Sequence, residues 1–444
     1  LPESARSHAF RQLNRIEQEG AFIGLAGEED LLEMDPREER QALEYIAGVT
    51  RWRRWLDFLL ASAYRGDYET MEPSLRQVLR IGLYDLLFLA TPPHAALNEA
   101  VELAKKRVRQ GAGGLVNGVL RNLLRRKEDL PEPHTGRVAE DLAIRYSHPT
   151  WMVERWLDRY GRDATIALLA WNNSRPVYGV RINTLKNPVQ DFQQVLNERG
   201  IAFTPSPYLD YFVRVPKLQG LVRAGLLAEG YCAVQDESAG LVVALLDPQP
   251  GETIVDACAA PGGKATHAAQ RMQNTGRIIA CDVHEGRLRL VEQSARDQGI
   301  PIIETRAGDF RETAPQEDFQ ADRVLLDAPC SGLGVLSKRA DLRWNRSPEE
   351  VRELTQLQDE LLDAAAQAVR PGGLLVYSTC TIEPEENEER VVAFLNRHPD
   401  FSVESAKGYV PEAMVTPEGY YRTFPPRDQT DGAFGARLRK RERG

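Results

Sequence analysis

Apolar residues recur at three- and four-residue steps through the front of the chain. "RQALEYIAGVTRWRRWLDFLLASAY", "PSLRQVLRIGLYDLLFL", "ALNEAVELAKKRV" and "GGLVNGVLRNLLRRK" all carry this period, which collects the apolar side chains on one face of a helix. β-branched alternation is absent, so residues 1–135 are read as a small all-α bundle. The opening "LPESARSHAFRQLNRIEQEG" has no apolar signal core and reads as an amphipathic helix. "KEDLPEPHTGR" (127–137), with its prolines and glycine, reads as a linker. Residues 138–235 mix two periods. "LAIRYSHPTWMVERWLDRYG" predicts helices around a proline break, whereas "YGVRINTLK" (178–186) and "DYFVRV" (210–215) alternate as strands. A small α+β subdomain is expected there.

From residue 236 to 444 strands alternate with helices. "ETIVDA", "GRIIACD", "PIIETRAGD" and "ADRVLLDA" are strands; "HEGRLRLVEQSARDQG" and "SPEEVRELTQLQDELLDAAAQAVRPGG" are helices. The second helix is well punctuated: Ser347 and Glu350 form a capping box, Pro348 takes the first helical position and Gly372 lies past the end. This alternation predicts an α/β, Rossmann-like domain with a parallel sheet covered on both faces. Ligands of such sheets bind beyond the carboxyl ends of the strands.

Length and composition narrow the class. A chain of 444 residues exceeds one ordinary core. Hydrophobic residues at 42% and charged residues at 27% are those of a globular protein, and no apolar run approaches a membrane span. The net charge of −9 excludes a uniformly basic coat but not local basic patches. Four basic clusters stand out: "RWRRW" (51–55), "KKRVR" (105–109), "RNLLRRK" (121–127) and "RLRKRER" (437–443). Taken singly, each reads as a solvated helix face or tail. The five cysteines, Cys232, Cys258, Cys281, Cys330 and Cys380, are an odd, widely spaced set, so no disulfide framework is expected. No Cys-x-x-Cys or close histidine pair suggests a metal site. Free thiols fit a reducing cytoplasm.

The candidate chemistry gathers at the strand ends. Asp256 closes the first strand of the α/β region and leads into Cys258, Ala259, Ala260, Pro261, Gly262, Gly263 and Lys264. Small residues and two glycines let a ligand approach the backbone ahead of a helix start. The spacing is neither the dinucleotide G-x-G-x-x-G nor a Walker loop. Asp282 ends the next strand, where an acid can accept hydrogen bonds from both ribose hydroxyls. Asp309 follows the third strand and Asp327 the fourth. A ribose acceptor without a phosphate anchor points to S-adenosyl-L-methionine rather than to a nicotinamide cofactor.

Cys232 and Cys281 read as small core hydrophobes, and Cys258 as a lining residue of the turn. Cys330 and Cys380 differ: each follows an apolar strand at the ligand edge, among Pro, Ser, Thr and Gly. Methylation of pyrimidine carbon 5 uses such thiols. A thiolate adding to carbon 6 makes carbon 5 nucleophilic, and later removal of the carbon-5 proton expels the thiol. Asp327 and the two cysteines can fill these roles; spacing does not choose the attacking thiol. The glutamates of "EPEENEE" after Cys380 read as the solvated first turn of a helix, whose N–H dipoles favour thiolate over thiol.

"DACAAPGGKATH" (256–267), "LLDAPCSGLG" (325–334) and "YSTCTIEPEENE" (377–388) resemble the motifs of the RNA 5-methylcytosine methyltransferases of the NOL1/NOP2/Sun group. "TDGAFGARLRK" (430–440) resembles that family's last strand pair, with Ala433 a departure. "HAALNEAVELAKK" and "GLVNGVLRN" are similar to the NusB-type RNA-binding helical domain. The resemblance implies a class I S-adenosylmethionine-dependent methyltransferase domain. Residues Cys258 to Lys264 would cradle the cofactor, Asp282 hold its ribose, Asp309 sit near the adenine, and Asp327 line the cofactor and cytosine pocket. It also implies that Cys380 attacks and Cys330 assists release, whereas DNA cytosine methyltransferases attack with the Pro-Cys thiol. The NusB-type fusion implies cytosine 967 of 16S ribosomal RNA as target. A monomer in the cytoplasm, with neither metal nor membrane, is expected. The alternatives are transfer RNA or another ribosomal position as substrate, or a non-catalytic RNA-binding assembly factor.

Overall fold

The computed structural model describes residues 4–19 and 34–442. Residues 1–3, 20–33 and 443–444, and with them the ends of the predicted amphipathic helix and of the 437–443 basic stretch, lie outside the described residues. Two compact units are present: Leu1–Ser174 with Leu336–Asn345, and Arg175–Val335 with Arg346–Gly444.

The first unit is helical, as the three- and four-residue steps predict. Its helices include Ala5–Glu19, Pro36–Ala63, Pro73–Phe88, Pro93–Arg107 and Ala112–Arg125, followed by Val138–Arg145, Thr150–Tyr160 and Arg162–Asn173. The long second helix starts cleanly: the Asp35 carboxylate accepts from the Arg37 N–H, Pro36 takes the first turn, and Glu38 and Glu39 meet the positive end of the dipole. Gly48 is required where it stands, since a Cβ there would come within 2.0 Å of the Tyr84 ring. The packing carries this unit to Ser174, past the 127–137 linker.

The unit also takes in the remote segment Leu336–Asn345. There the buried Arg343 guanidinium donates to the Ser147 and Asn172 carbonyls and to Asn173 Oδ1, at 2.8–3.1 Å. Trp344 Nε1 donates to the Thr50 carbonyl at 2.7 Å. The "RWRRW" cluster serves the same packing and is not a free solvated face. Arg51 donates to the Ser337 carbonyl, Arg54 to the His148 carbonyl and Thr150, and Arg53 lies over the Trp344 ring.

The second unit holds two sheets. A four-stranded antiparallel sheet is built from β1 (Tyr178–Ile182), β2 (Thr204–Pro205), β3 (Phe212–Val215) and β4 (Cys232–Val234), in the order β2-β3-β1-β4. The main sheet comprises β5 (Thr253–Asp256), β6 (Arg277–Asp282), β7 (Ile303–Ala307), β8 (Ala321–Asp327), β9 (Val369–Thr379), β10 (Phe401–Glu404), β11 (Tyr421–Arg422) and β12 (Phe434–Lys440). Its order is β10-β12-β9-β8-β5-β6-β7, with β11 on β12. The pairings from β7 through β9 are parallel, and β12 and β10 add antiparallel. The chain runs outward from β5 to β7 and returns to β8, so the order reverses between β5 and β8. That reversal opens a crevice at the carboxyl ends of those strands. Ser347 and Glu350 form the predicted capping box of the helix Pro348–Ala368, Pro348 takes its first position, and Gly372 falls within β9 at positive φ.

Candidate active site

The turn after β5 is tied to the neighbouring strands. The Ala257 N–H donates to the Leu325 carbonyl of β8, and the Ala259 N–H to the Cys281 carbonyl of β6. The Ala260 N–H reaches Asp282 Oδ2 at 3.3 Å. The Ala260–Pro261 peptide is cis. Gly262 sits at φ 100°, where a Cβ would be strained and would press on Val291 Cα at 3.1 Å. The helix Gly263–Arg271 then begins with no side-chain cap on its first N–H groups.

Asp282 is buried at the end of β6; its Oδ1 accepts from the His284 N–H at 2.9 Å. The next residue, Val283, is 59% exposed, an apolar side chain held in the open beside the acid. Asp309 lies close by in the chain path, since the Gly308 N–H donates to the Asp282 carbonyl. Its carboxylate, however, caps the helix Phe310–Gln316 and pairs with Arg311 at 2.5 Å. Arg311 holds Asp309 below the usual carboxylate range. Asp309 is therefore at the crevice rim and not in the cluster formed by Lys264, Asp327 and the thiols.

That cluster is compact. Lys264 Nζ meets Asp327 Oδ2 at 2.6 Å, and Asp327 Oδ1 accepts from Ser378 Oγ at 2.9 Å. Burial works against the Lys264 ammonium, but Asp327 outweighs it and raises the lysine pKa. Cys330 Sγ and Cys380 Sγ lie 3.3 Å apart, and the Cys380 N–H points at Cys330 Sγ from 3.4 Å. Cys380 is exposed and Cys330 half-buried. The hydrogen bond with Cys380, then burial, pushes the Cys330 thiol well up, so Cys330 is held protonated. Cys232 and Cys281 are buried, with thiols pushed up to about 12 by desolvation, as core residues should be. Burial also raises the Cys258 thiol beside Asp256.

Three features go beyond what the sequence showed of this site. Asp256, at the end of β5, is buried with neither carboxylate oxygen in a closed hydrogen bond. Desolvation, then the Asp327 charge, pushes it up to about 7. Its place at a strand end was a usable signal. Arg181 on β1 is fully buried without a carboxylate partner. It donates to Gly263 O, Gln235 Oε1, Thr266 Oγ1 and Gln298 Oε1 at 2.6–2.9 Å. Burial brings it down to about 9. It ties the small sheet to the helix that follows the glycine turn. Alternation gave no signal for it, because a polar residue between Val180 and Ile182 reads as facing water.

The third feature corrects the reading of the glutamates. Pro384–Glu386 forms a 3-10 turn and the helix starts only at Glu388. Glu383 and Glu386 are 2% and 0% exposed, so neither lies on a solvated face.

A reversal-point crevice, a turn of small residues and a buried acid at the end of β6, held by the Ala260 and His284 N–H groups, define a class I S-adenosylmethionine-dependent methyltransferase. The orphaned Asp256 oxygens and the Cβ-free cradle at Gly262 suit a polar, cationic nucleoside ligand. Residues 243–439 match the family described as 16S rRNA methyltransferase RsmB/F. Residues 3–125 match the NusB family, and 148–219 the ferredoxin-like domain of RsmF/B-like methyltransferases. A probable ribosomal RNA small subunit methyltransferase B of Synechocystis sp. is 36% identical over 98% of this chain and 99% of its own. Its namesake in Bacillus subtilis is 33% identical over 99% of both. The solved structure of PH0851 matches with a TM-score of 0.83 at 29% identity, covering 99% of this chain and 100% of that one. The chain belongs to the ribosomal RNA small subunit methyltransferase B family, whose cofactor is S-adenosylmethionine.

Proposed function

We propose that this enzyme methylates carbon 5 of a cytosine in small-subunit ribosomal RNA, at position 967 of the 16S molecule. The observation that carries the reading is the exposed Cys380 thiol, 3.3 Å from Cys330 and beside the Lys264–Asp327 pair. Bound in the crevice, S-adenosylmethionine supplies an electrophilic methyl group on a sulfonium sulfur. The stretch Cys258, Ala259, Ala260, Pro261, Gly262, Gly263 and Lys264 would cradle it, Asp282 would accept from its ribose, and Val283 and Asp309 would lie on the adenine side. Asp256, buried at the end of β5, would face its methionine portion.

Cys380 bonds through Sγ to carbon 6 of the cytosine. Asp327, paired with Lys264, holds a proton at ring nitrogen 3 as charge develops there. Carbon 5 then takes the methyl group. A water molecule takes the carbon-5 proton, carbons 5 and 6 regain their double bond, and the electron pair of the S–C6 bond returns to Cys380 as a thiolate that takes the proton held by Cys330. The carbon-5 edge is inaccessible in stacked RNA, so the base is splayed from a loop or flipped. The front helices, matching the NusB family, contact the RNA, and the enzyme works as a cytoplasmic monomer.

Bisulfite sequencing of 16S ribosomal RNA from cells lacking the protein tests the target. Loss of methylcytosine at 967 alone is expected; an unchanged methylation map would overturn the assignment.

A further inference from the structure

Two loops carry the thiols, one after β8 and one after β9, and their cysteines are 50 residues apart in sequence. Loops that end separate strands have no covalent reason to hold two sulfur atoms at a set distance. The buried residues around them supply one.

Glu386 reaches the first loop. Its Oε1 accepts from the Ser331 N–H at 2.8 Å and its Oε2 from Ser331 Oγ at 2.5 Å. Gln358 Nε2 donates to Glu386 Oε1 at 3.1 Å and to the Pro329 carbonyl at 2.9 Å. Both residues flanking Cys330 are thereby fixed. Asn387 does the same for the second loop. Its Oδ1 accepts from Thr379 Oγ1 at 2.5 Å and its Nδ2 donates to the Thr381 carbonyl at 3.1 Å. Both residues flanking Cys380 are held. The two halves meet where Ser331 Oγ and Thr381 Oγ1 lie 2.9 Å apart.

Glu386 and Asn387 are both 0% exposed. The partners that reach the Glu386 carboxylate are neutral: an amide, hydroxyls and a carboxamide. Burial raises its pKa accordingly. A buried acid without a cation costs stability, so its use is geometric.

We propose that the Glu386–Asn387 pair is a clamp that sets the separation of Cys330 and Cys380, making both residues positioning residues for methyl transfer. This deepens the covalent reading above and rests on it. The test separates the two. Purified full-length protein is equilibrated in glutathione/glutathione disulfide buffers, where forming the Cys330–Cys380 bond reduces one glutathione disulfide to two thiols. Alkylation and mass spectrometry then give the effective concentration of one thiol at the other.

Glu386→Gln should lower that effective concentration by about 10- to 100-fold, as a misplacement near 1 Å does for reacting groups. It should lower kcat comparably and leave KM for S-adenosylmethionine and the melting temperature unchanged. Should Glu386→Gln fail to fold, Ser331→Ala, which removes only the hydroxyl arm, should show a smaller loss in the same direction. Wild-type thiol pairing and kcat in the folded variants would overturn the clamp. Failure of a Cys330→Ala protein to trap RNA would instead sink the covalent reading, leaving the thiol-pairing result to judge the clamp alone.

Discussion

Asp256→Asn isolates the energetic consequence of a carboxyl buried without a closed hydrogen bond. In the fold the group is pushed up to about 7, from an ordinary 3.8, by desolvation and then by Asp327. A folded value raised above the unfolded one means that the native state binds the extra proton between these two values. Stability from this group is therefore greatest at low pH and is lost as pH rises through about 7. The difference between these two values is worth about 4 kcal/mol in full, most of which, about 3 kcal/mol, falls between pH 5 and pH 8. The asparagine variant has no such titration, so wild type minus variant should change by that amount across the interval, in favour of the variant at pH 8. All six tryptophans, Trp52, Trp55, Trp151, Trp156, Trp171 and Trp344, belong to the helical unit, so their fluorescence does not report on β5. Native-state hydrogen exchange of the β5 and β6 peptides is the suitable assay. If the two proteins lose protection in parallel from pH 5 to pH 8, Asp256 is not held protonated and the reasoning fails.

Two further substitutions probe the crevice. Lys264→Met leaves Asp327 without its ion pair and should lower kcat by about 10²- to 10³-fold in a methyl-transfer assay, with the RNA Kd little changed; normal turnover would remove Lys264 from the chemistry. Arg181→Met removes four buried hydrogen bonds, although Gly263 O and Gln298 Oε1 keep other donors, costing on the order of 2–4 kcal/mol, and should weaken S-adenosylhomocysteine binding in calorimetry by loosening the helix after Gly262. Unaltered affinity would confine Arg181 to a purely structural role.

Much of this architecture was legible because it is local. The capping box at Ser347 and Glu350 needs only four residues, and the strands ending at Asp256, Asp282 and Asp327 announce themselves by apolar runs and small-residue turns. What was not legible depends on segments far apart in the chain. A row of acids after a proline looks like a helix start in water; Glu386 is buried only because loops from β8 and β9 close around it. Arg181 alternates like an outward-facing residue until the small sheet packs on the Gly263–Arg271 helix. The basic run at 51–55 looks like a solvated helix face until Ser337, Trp344 and His148 take up its donors. Likewise no composition change marks Leu336–Asn345 as part of the helical unit.

The most direct test of the thiol assignment is denaturing electrophoresis of the enzyme incubated with S-adenosylmethionine and a small-subunit ribosomal RNA transcript. Cys330→Ala should accumulate a covalent protein–RNA band, and adding Cys380→Ala to it should abolish the band. A band that persists without Cys380, or one that appears in Cys380→Ala alone, would contradict attack by Cys380.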